Sequence, residues 1–200
     1  MRLNLLLMGI GGQGLVKLSE IIARGVAKKN LPVWIYQQKG MAQRGGSVRC
    51  EIRMGEVEGS AIPRGSADVV LALELSEVLN AVDWMSEKSL ILINTKQIPP
   101  IGLRKGGDGG YPKKEEIREL LKQAGIKAIF VDAADLAEKA GLPIAANMVM
   151  LGALAALPNI KELIDKKVFR AALVESLSKE VEKNLKAFEL GFNQIERKKW

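Results

Sequence analysis

The chain opens with an apolar stretch that runs directly into a glycine-rich turn and then into a helical pattern. Residues 3–8 are apolar apart from Asn4, which is typical of a buried strand. Residues 9–14 have the spacing GxGxxG, and apolar residues then recur every three or four positions from Leu15 to Val26. Strand, turn and helix together are the first unit of a Rossmann-like α/β fold. They predict a mostly parallel sheet with helices on both faces.

The glycine turn is the first candidate binding site. Its members are Gly9, Gly11, Gly12, Gln13 and Gly14. We assign the tight turn to Gly9, close backbone approach to a ligand or chain to Gly11, and helix–strand packing to Gly14. A helix that begins here directs its free N–H groups and the positive end of its dipole at the crevice, which favours an anion. The alternative is that the glycines only build the turn.

An ordinary NAD site does not fit the next part of the chain. Such a site uses an Asp or Glu at the end of the second strand to hold the ribose, whereas the predicted strand 33–36 ends in Gln37-Gln38. No acidic residue occurs between Glu20 and Glu51. Basic residues fill that interval instead: Arg24, Lys28, Lys29, Lys39, Arg44 and Arg49. Lys39 or Arg44 could meet the 2′-phosphate of NADP, so an NADP-dependent reductase remains an alternative.

The bulk properties predict a single domain over residues 1–200. The net charge of +7 comes with only 4% aromatic residues and no nucleic-acid-binding motif, so we expect no nucleic-acid partner. No run of 18 apolar residues exists, which predicts no membrane span, and a core strand at the start predicts no signal peptide. The single cysteine, Cys50, predicts a buried packing residue and a cytoplasmic location.

The catalytic residue types are sparse. With no histidine and one cysteine, the sequence cannot supply an iron–sulfur cluster, a zinc site or a Cys–His pair. Gly107-Asp108-Gly109 resembles the start of a thiamine diphosphate motif, but residues 132–140 lack the Asn that completes its Mg²⁺ site, and Asn147 is too distant. If the protein belongs to an enzyme, we therefore expect the reacting cofactor on another chain.

Further elements complete the predicted sheet. Residues 48–54 alternate as a half-exposed strand and, with a short piece at 60–63, predict an antiparallel edge hairpin. Buried parallel strands are predicted at 68–73, 89–94 and 126–131, with helices between them. The apolar stripe from Leu173 to Ile195 predicts one C-terminal helical segment at about 168–196.

Two glycine loops at this separation resemble a known family. The first is residues 9–14, the second is Gly40-Met41-Ala42-Gln43-Arg44-Gly45-Gly46-Ser47-Val48, and Ala145-Ala146-Asn147-Met148 follows near the end. Over nearly its whole length the chain resembles the gamma-type domain of the 2-oxoacid:ferredoxin oxidoreductases. Met41-Ala42-Gln43 fits the archaeal-type indolepyruvate branch, in which such a chain is the small (beta) subunit.

The resemblance implies a reaction and a division of labour. An aryl pyruvate, coenzyme A and oxidised ferredoxin would give an aryl-acetyl-CoA, carbon dioxide and reduced ferredoxin, as in the catabolism of aromatic amino acids. The large subunit of that family carries thiamine diphosphate, Mg²⁺ and the iron–sulfur clusters, and ferredoxin is reached through the complex. This chain is then expected to bind no cofactor alone and to be inactive when isolated, with coenzyme A a candidate ligand at the interface.

The second loop supplies the remaining candidate site residues. They are Gln43, Arg44, Gly45, Gly46 and Ser47. We expect the two loops to meet at the carboxyl ends of strands one and two and to hold coenzyme A phosphates or the 2-oxoacid carboxylate. Alternatively, Arg44 pairs with an acidic residue of the partner. Asn147 would line the same crevice or act as a helix cap or turn residue. A nonenzymatic nucleotide-sensing module remains a third possibility for the chain.

Overall fold

Six strands form one mixed sheet in the computed structural model, which describes residues 2–39, 46–99 and 110–197. The strands are β1 (Arg2–Ile10), β2 (Val33–Lys39), β3 (Ser47–Gly55), β4 (Val69–Ala72), β5 (Leu90–Asn94) and β6 (Lys127–Val131). Their order across the sheet is β2-β3-β1-β4-β5-β6. The pairs β1–β4, β4–β5 and β5–β6 are parallel, as the buried apolar runs predict.

The antiparallel part of the sheet is a hairpin of β2 and β3 at one edge. β3 pairs antiparallel with β2 on one side and with β1 on the other. The predicted edge hairpin is thus confirmed, but the partner of residues 48–54 is β2, because residues 60–63 form no strand. Buried side chains of β3 make the hydrogen bonds to the backbone of that segment instead. Glu51 accepts from the Ile62 N–H, and Arg53 donates to the carbonyls of Glu58 and Ala61.

Helices cover both faces of the sheet, as predicted. They are α1 (Leu15–Lys28), α2 (Lys114–Gln123), α3 (Ala133–Lys139), α4 (Ala146–Ala155), α5 (Pro158–Lys161), α6 (Lys166–Ser176) and α7 (Val181–Glu196), with 3-10 helices at Ser76–Trp84 and Pro143–Ala145. Alternate residues of β1 point into two separate cores. Leu5 and Leu7 belong to a core that includes residues of α1, α4 and α7, whereas Leu6 and Met8 belong to one that includes residues of the Ser76–Trp84 helix and α2.

The prediction of one C-terminal helical segment at 168–196 needs a correction, because the segment consists of two helices. α6 ends at Ser176, Leu177 is extended, and Glu180 has φ 51°, which turns the chain before α7 begins. The break lets each half cover a different helix. α6 packs against α1, where Lys28 pairs with Glu175 at 2.6 Å, and α7 packs against α4. In the described part of the chain, every helix is too short or too polar to span a lipid bilayer.

Candidate functional site

A cleft of about 470 Å³ lies where β1, β4 and β5 end and where α1 and α4 begin. Its walls are Ile10, Gly11, Gly12, Gln13, Gly14, Leu73, Asn94, Lys96, Ile98, Pro143, Ile144, Ala146 and Asn147. Ligands of open α/β sheets bind at this position, outside the carboxyl ends of the strands. Four of the five predicted residues of the first loop line the cleft, as does Asn147, whereas Gly9 does not.

Gln13 holds the first loop in shape. Its Oε1 accepts from the Ile10 N–H at 2.7 Å, and its Nε2 donates to the Leu73 carbonyl at 3.0 Å. The Gln13 amide therefore joins the end of β1 to the residue that follows β4. We predicted that the Gln13 side chain contacts a ligand, but both polar atoms of its amide are bonded to backbone groups of this chain. Gln13 therefore organises the floor of the cleft.

The glycines of the loop have different roles from those expected. Gly9 lies inside β1, where a Cβ would come within 2.9 Å of both Gln13 Oε1 and Leu15 Cδ1. Gly12 and Gly14 have φ values of 100° and 78°, which favour glycine. A Cβ on Gly14 would lie 2.3 Å from Asn147 Nδ2. Gly14 thus makes room for the Asn147 amide, and the predicted role in helix–strand packing is wrong.

The two glycine loops meet at the end of β1. The Gly11 N–H donates to the Gly46 carbonyl at 2.9 Å, and Ile10 lies opposite Ser47 in the β1–β3 register. β3 separates β2 from β1, but β2 and β1 run in the same direction, so the chain leaving β2 arrives at the cleft end of the sheet. Gln43, Arg44 and Gly45 lie outside the described residues, and their role stays a prediction.

Ser47 fixes the end of the second loop to the 3-10 helix Ser76–Trp84. Its Oγ donates to Glu77 Oε2 at 2.5 Å, and Asn80 Nδ2 donates to Glu77 Oε1 at 3.3 Å. Burial raises the pKa of the Glu77 carboxyl above its ordinary value. The Ser47 hydroxyl is thus bonded to a buried carboxylate on the 3-10 helix and does not line the cleft. Its geometry favours holding the loop over binding a ligand.

Two helix starts give the cleft its electrostatic character. α1 begins after Gly14 and α4 after Ala145, and neither has an acidic first turn or a side-chain cap within the described residues. The free N–H groups of α1 and the positive dipole ends of both helices therefore favour an anion, although α4 continues directly from the 3-10 helix Pro143–Ala145. Lys96 adds an exposed cation on the wall. Asn147 lies in the first turn of α4 without capping it, so of its two predicted roles the geometry favours the lining contact.

A buried acid that we did not predict supports the cleft wall. Glu74 is fully buried just after β4 and accepts from Ser76 N and Oγ, Glu77 N, Ile98 N and the Tyr111 hydroxyl. Burial and this hydrogen bond to Glu74 raise the pKa of Tyr111 to about 12. Glu74 thereby ties Ile98, which lines the cleft, to the end of β4. An acid directly after the apolar run 69–73 was the sequence signal.

Cys50 is a packing residue, as predicted. It is fully buried in β3, and burial raises the pKa of its thiol to about 11. The described residues contain no group of three or more His, Cys, Asp or Glu side chains placed to hold a metal ion.

The fold and the cleft define a Rossmann-like domain whose ligand crevice is lined by the first glycine loop. Residues 4–194 match the family model described as pyruvate ferredoxin/flavodoxin oxidoreductase. The chain belongs to that family.

Relatives of known assignment agree with the resemblance seen in the sequence. The chain is 42% identical to the indolepyruvate oxidoreductase subunit IorB of Methanothermobacter thermautotrophicus, over 96% of this chain and 97% of the relative. It is 39% identical to IorB of Archaeoglobus fulgidus, over 97% and 96%. The chain is thus a subunit of an oxidoreductase of this family, and neither the NADP-dependent reductase nor the sensing module is favoured.

Solved structures show the same fold. The gamma subunit of a keto/oxoacid ferredoxin oxidoreductase from Geobacter sulfurreducens superposes with a TM-score of 0.68 at 22% identity, covering 96% of this chain and 98% of that one. The 2-oxoglutarate:ferredoxin oxidoreductase from Magnetococcus marinus gives a TM-score of 0.74 at 20% identity. There the fold spans 99% of this chain but only 32% of the longer neighbour.

Proposed function

We propose that this chain is the small subunit of an indolepyruvate:ferredoxin oxidoreductase. The complex oxidatively decarboxylates an aryl pyruvate to an aryl-acetyl-CoA and passes two electrons to ferredoxin. The identity to two IorB subunits, 42% and 39% over nearly full length, carries this proposal. Relatives named for other 2-oxoacids are less similar: 30% for a pyruvate/ketoisovalerate common gamma subunit and 28% for a 2-oxoglutarate synthase subunit.

The proposed division of labour follows from the side chains that this sequence offers. It has no histidine, and its one cysteine is buried, so it is poorly equipped for cluster ligation or nucleophilic catalysis. Thiamine diphosphate, Mg²⁺ and iron–sulfur clusters then belong to a larger catalytic subunit, which also passes electrons to ferredoxin. The complex works in the cytoplasm, and the isolated chain is inactive.

The contribution of this subunit is the cleft. The uncapped start of α1, the positive dipole end of α4 and Lys96 would hold a phosphate of coenzyme A. Apolar residues of the rim, among them Ile98 and Ile144, would pack on its non-polar part. Arg44 of the second loop would reach the same anion or an acid of the catalytic subunit.

Reconstitution tests the substrate. The chain is co-produced with the catalytic subunit, and ferredoxin reduction is measured with indolepyruvate, pyruvate or 2-oxoglutarate, each with and without coenzyme A. We expect coenzyme A-dependent reduction, with a kcat/KM highest for indolepyruvate, and no turnover by either chain alone. Higher kcat/KM for pyruvate or 2-oxoglutarate, or turnover by this chain alone, would contradict the proposal.

The Arg44→Ala variant distinguishes the two roles of the second loop. An intact complex with a raised KM for coenzyme A supports contact with the ligand. A complex that dissociates during size-exclusion chromatography supports an ion pair with the catalytic subunit. Unchanged assembly and unchanged kinetics would exclude both roles.

A further inference from the structure

Two side-chain amides meet on one backbone carbonyl at the floor of the cleft. The Leu73 carbonyl, which directly follows β4, accepts from Gln13 Nε2 at 3.0 Å and from Asn94 Nδ2 at 3.0 Å. A carbonyl oxygen has two lone pairs, so these two bonds fill its capacity. Gln13 comes from the turn after β1, and Asn94 is the last residue of β5. The two amides therefore join the carboxyl ends of three neighbouring parallel strands.

The other polar atom of the Asn94 amide holds the backbone of Lys96. Asn94 Oδ1 accepts from the Lys96 N–H at 3.3 Å, with the two-residue spacing of an Asx turn. The Lys96 carbonyl accepts from the Leu75 N–H at 3.1 Å. Because both of its backbone groups are held, the direction in which the Lys96 side chain leaves the end of β5 is fixed. Lys96 is exposed and lines the cleft.

These bonds matter for an anionic ligand in two ways. A carbonyl oxygen and an ionised phosphate are both hydrogen-bond acceptors, so an uncovered Leu73 carbonyl would repel the ligand. The Lys96 cation attracts the same ligand only if it points at the cleft. Asn94 is 2% exposed and both of its amide atoms are already bonded. Its effect on a ligand therefore passes through the two groups that it holds.

We propose that Asn94 is a positioning residue for the anionic ligand of the cleft, because it directs Lys96 and covers the Leu73 carbonyl. This role rests on the proposed function in one respect, the assignment of coenzyme A to the cleft. It adds a residue that the motifs of the sequence did not indicate, since Asn94 follows the apolar run 90–93 and belongs to neither glycine loop.

Asn4 provides a matched control at the other end of the sheet. It is a strand asparagine that is 5% exposed, and its amide donates to the Ser66 carbonyl at 2.8 Å and accepts from Arg53 Nε at 3.0 Å. Asn4 lies near the start of β1, whereas the cleft lies at the end of that strand. Asn4→Leu and Asn94→Leu each remove two internal hydrogen bonds of a buried amide, so both should lower the melting temperature. Only Asn94→Leu should affect the ligand.

Steady-state kinetics of the reconstituted complex test this role, with the 2-oxoacid that the complex turns over best. Asn94→Leu should raise the KM for coenzyme A by about tenfold, and it should change kcat much less. Asn4→Leu should leave the KM within about twofold of the wild-type value. Asn94→Ser is a smaller change that also removes the amide, and it should raise the KM in the same direction where the leucine variant does not assemble.

A double-mutant cycle tests whether Asn94 acts through Lys96. Lys96→Ala should raise the KM about fivefold in the wild-type chain but less than about twofold in the Asn94→Leu chain, because a misdirected cation contributes little. Multiplicative effects of the two substitutions, or equal KM values for Asn94→Leu and Asn4→Leu, would overturn the proposal.

Two further outcomes separate this role from the proposed function. If Lys96→Ala leaves the KM unaltered, the cleft does not hold coenzyme A, and both the proposed ligand and the role of Asn94 fall. If another 2-oxoacid is preferred to indolepyruvate while the Asn94 variants behave as expected, only the proposed substrate is contradicted.

Discussion

Gly152 of α4 and Gly191 of α7 lie where the two helices cross, and each faces the backbone of the other helix. A Cβ on Gly152 would lie 1.9 Å from the Phe188 carbonyl oxygen, and a Cβ on Gly191 would lie 1.9 Å from the Val149 carbonyl oxygen. The two helices are therefore in direct backbone contact at this crossing, closer than side chains would permit. The contact depends on both glycines.

Gly152→Ala should lower the free energy of unfolding by about 3 kcal/mol or more, because the helices must separate to admit one methyl group. Urea unfolding followed by circular dichroism measures the change. Gly110→Ala is the control, since a Cβ there meets no atom within 4 Å, and it should change the free energy by less than about 0.5 kcal/mol. Equal effects of the two substitutions would show that the helices do not cross this closely.

The contact between Gly14 and Asn147 predicts non-additive substitutions. Gly14→Ala adds a clash with Asn147 to the cost of a left-handed backbone, which alone is about 1–2 kcal/mol. Asn147→Ala removes the clashing amide. The free energy lost by the double variant should therefore be at least about 1 kcal/mol smaller than the sum of the single losses. Gly12→Ala, with φ 100° and open space around it, should show no such coupling with Asn147→Ala.

Lys96→Ala tests the anionic cleft in the reconstituted complex. Loss of one exposed cation near a phosphate should raise the KM for coenzyme A about fivefold and leave kcat nearly unchanged. The effect should shrink as salt is added, because exposed charges are screened. Lys88→Ala removes an exposed cation at the other end of β5 and should leave the KM unaltered. Equal effects of both substitutions would mean that net charge alone attracts the ligand.

Cys50 gives a prediction at alkaline pH. Its pKa is raised from 9.0 to about 11 by burial, so the folded chain holds the thiol proton more tightly than the unfolded chain. Its contribution to stability is full below pH 9 and is lost as pH rises from 9 towards 11. Cys50→Ala should flatten the fall in unfolding free energy across this window. A thiol reagent at pH 8 should label the native chain far more slowly than the unfolded chain.

Glu74→Gln tests the buried support of the cleft wall. The amide would set an NH₂ group against donors from Ser76, Ile98 or Tyr111, so we expect a loss of about 2–4 kcal/mol in unfolding free energy. Tyr111→Phe removes one donor and leaves the carboxylate its others, and it should cost about 1 kcal/mol. Thermal melts of both variants check the order, and a larger loss for Tyr111→Phe would contradict it.

Local patterns were enough to predict the first unit of the fold and the parallel strands. The glycine spacing and the apolar periodicity are patterns among residues that are close together in the chain. The two loops also meet as expected, through the hydrogen bond between Gly11 and Gly46. The insertion of β3 between β1 and β2 was not predicted, because it depends on long-range pairs such as Leu3 with Met54. The role of Gly14 was missed for the same reason, since its neighbour Asn147 is distant in sequence.

The break between α6 and α7 was also missed, for another reason. Residues 177–180 contain neither proline nor glycine, so no local signal ends the helix. What ends it is tertiary packing, since α6 must reach α1 while α7 must reach α4. Glu180 adopts a left-handed backbone to make the turn.

The same two helices set a constraint on biosynthesis. α6 and α7 cover α1 and α4, the helices that share a core with Leu5 and Leu7, and they are synthesised after the other described elements. Until residue 196 emerges, the apolar residues of α1 and α4 that face α6 and α7 stay uncovered, and the nascent chain is prone to aggregation. Premature termination before α7 would therefore give an aggregation-prone fragment and not a shortened subunit.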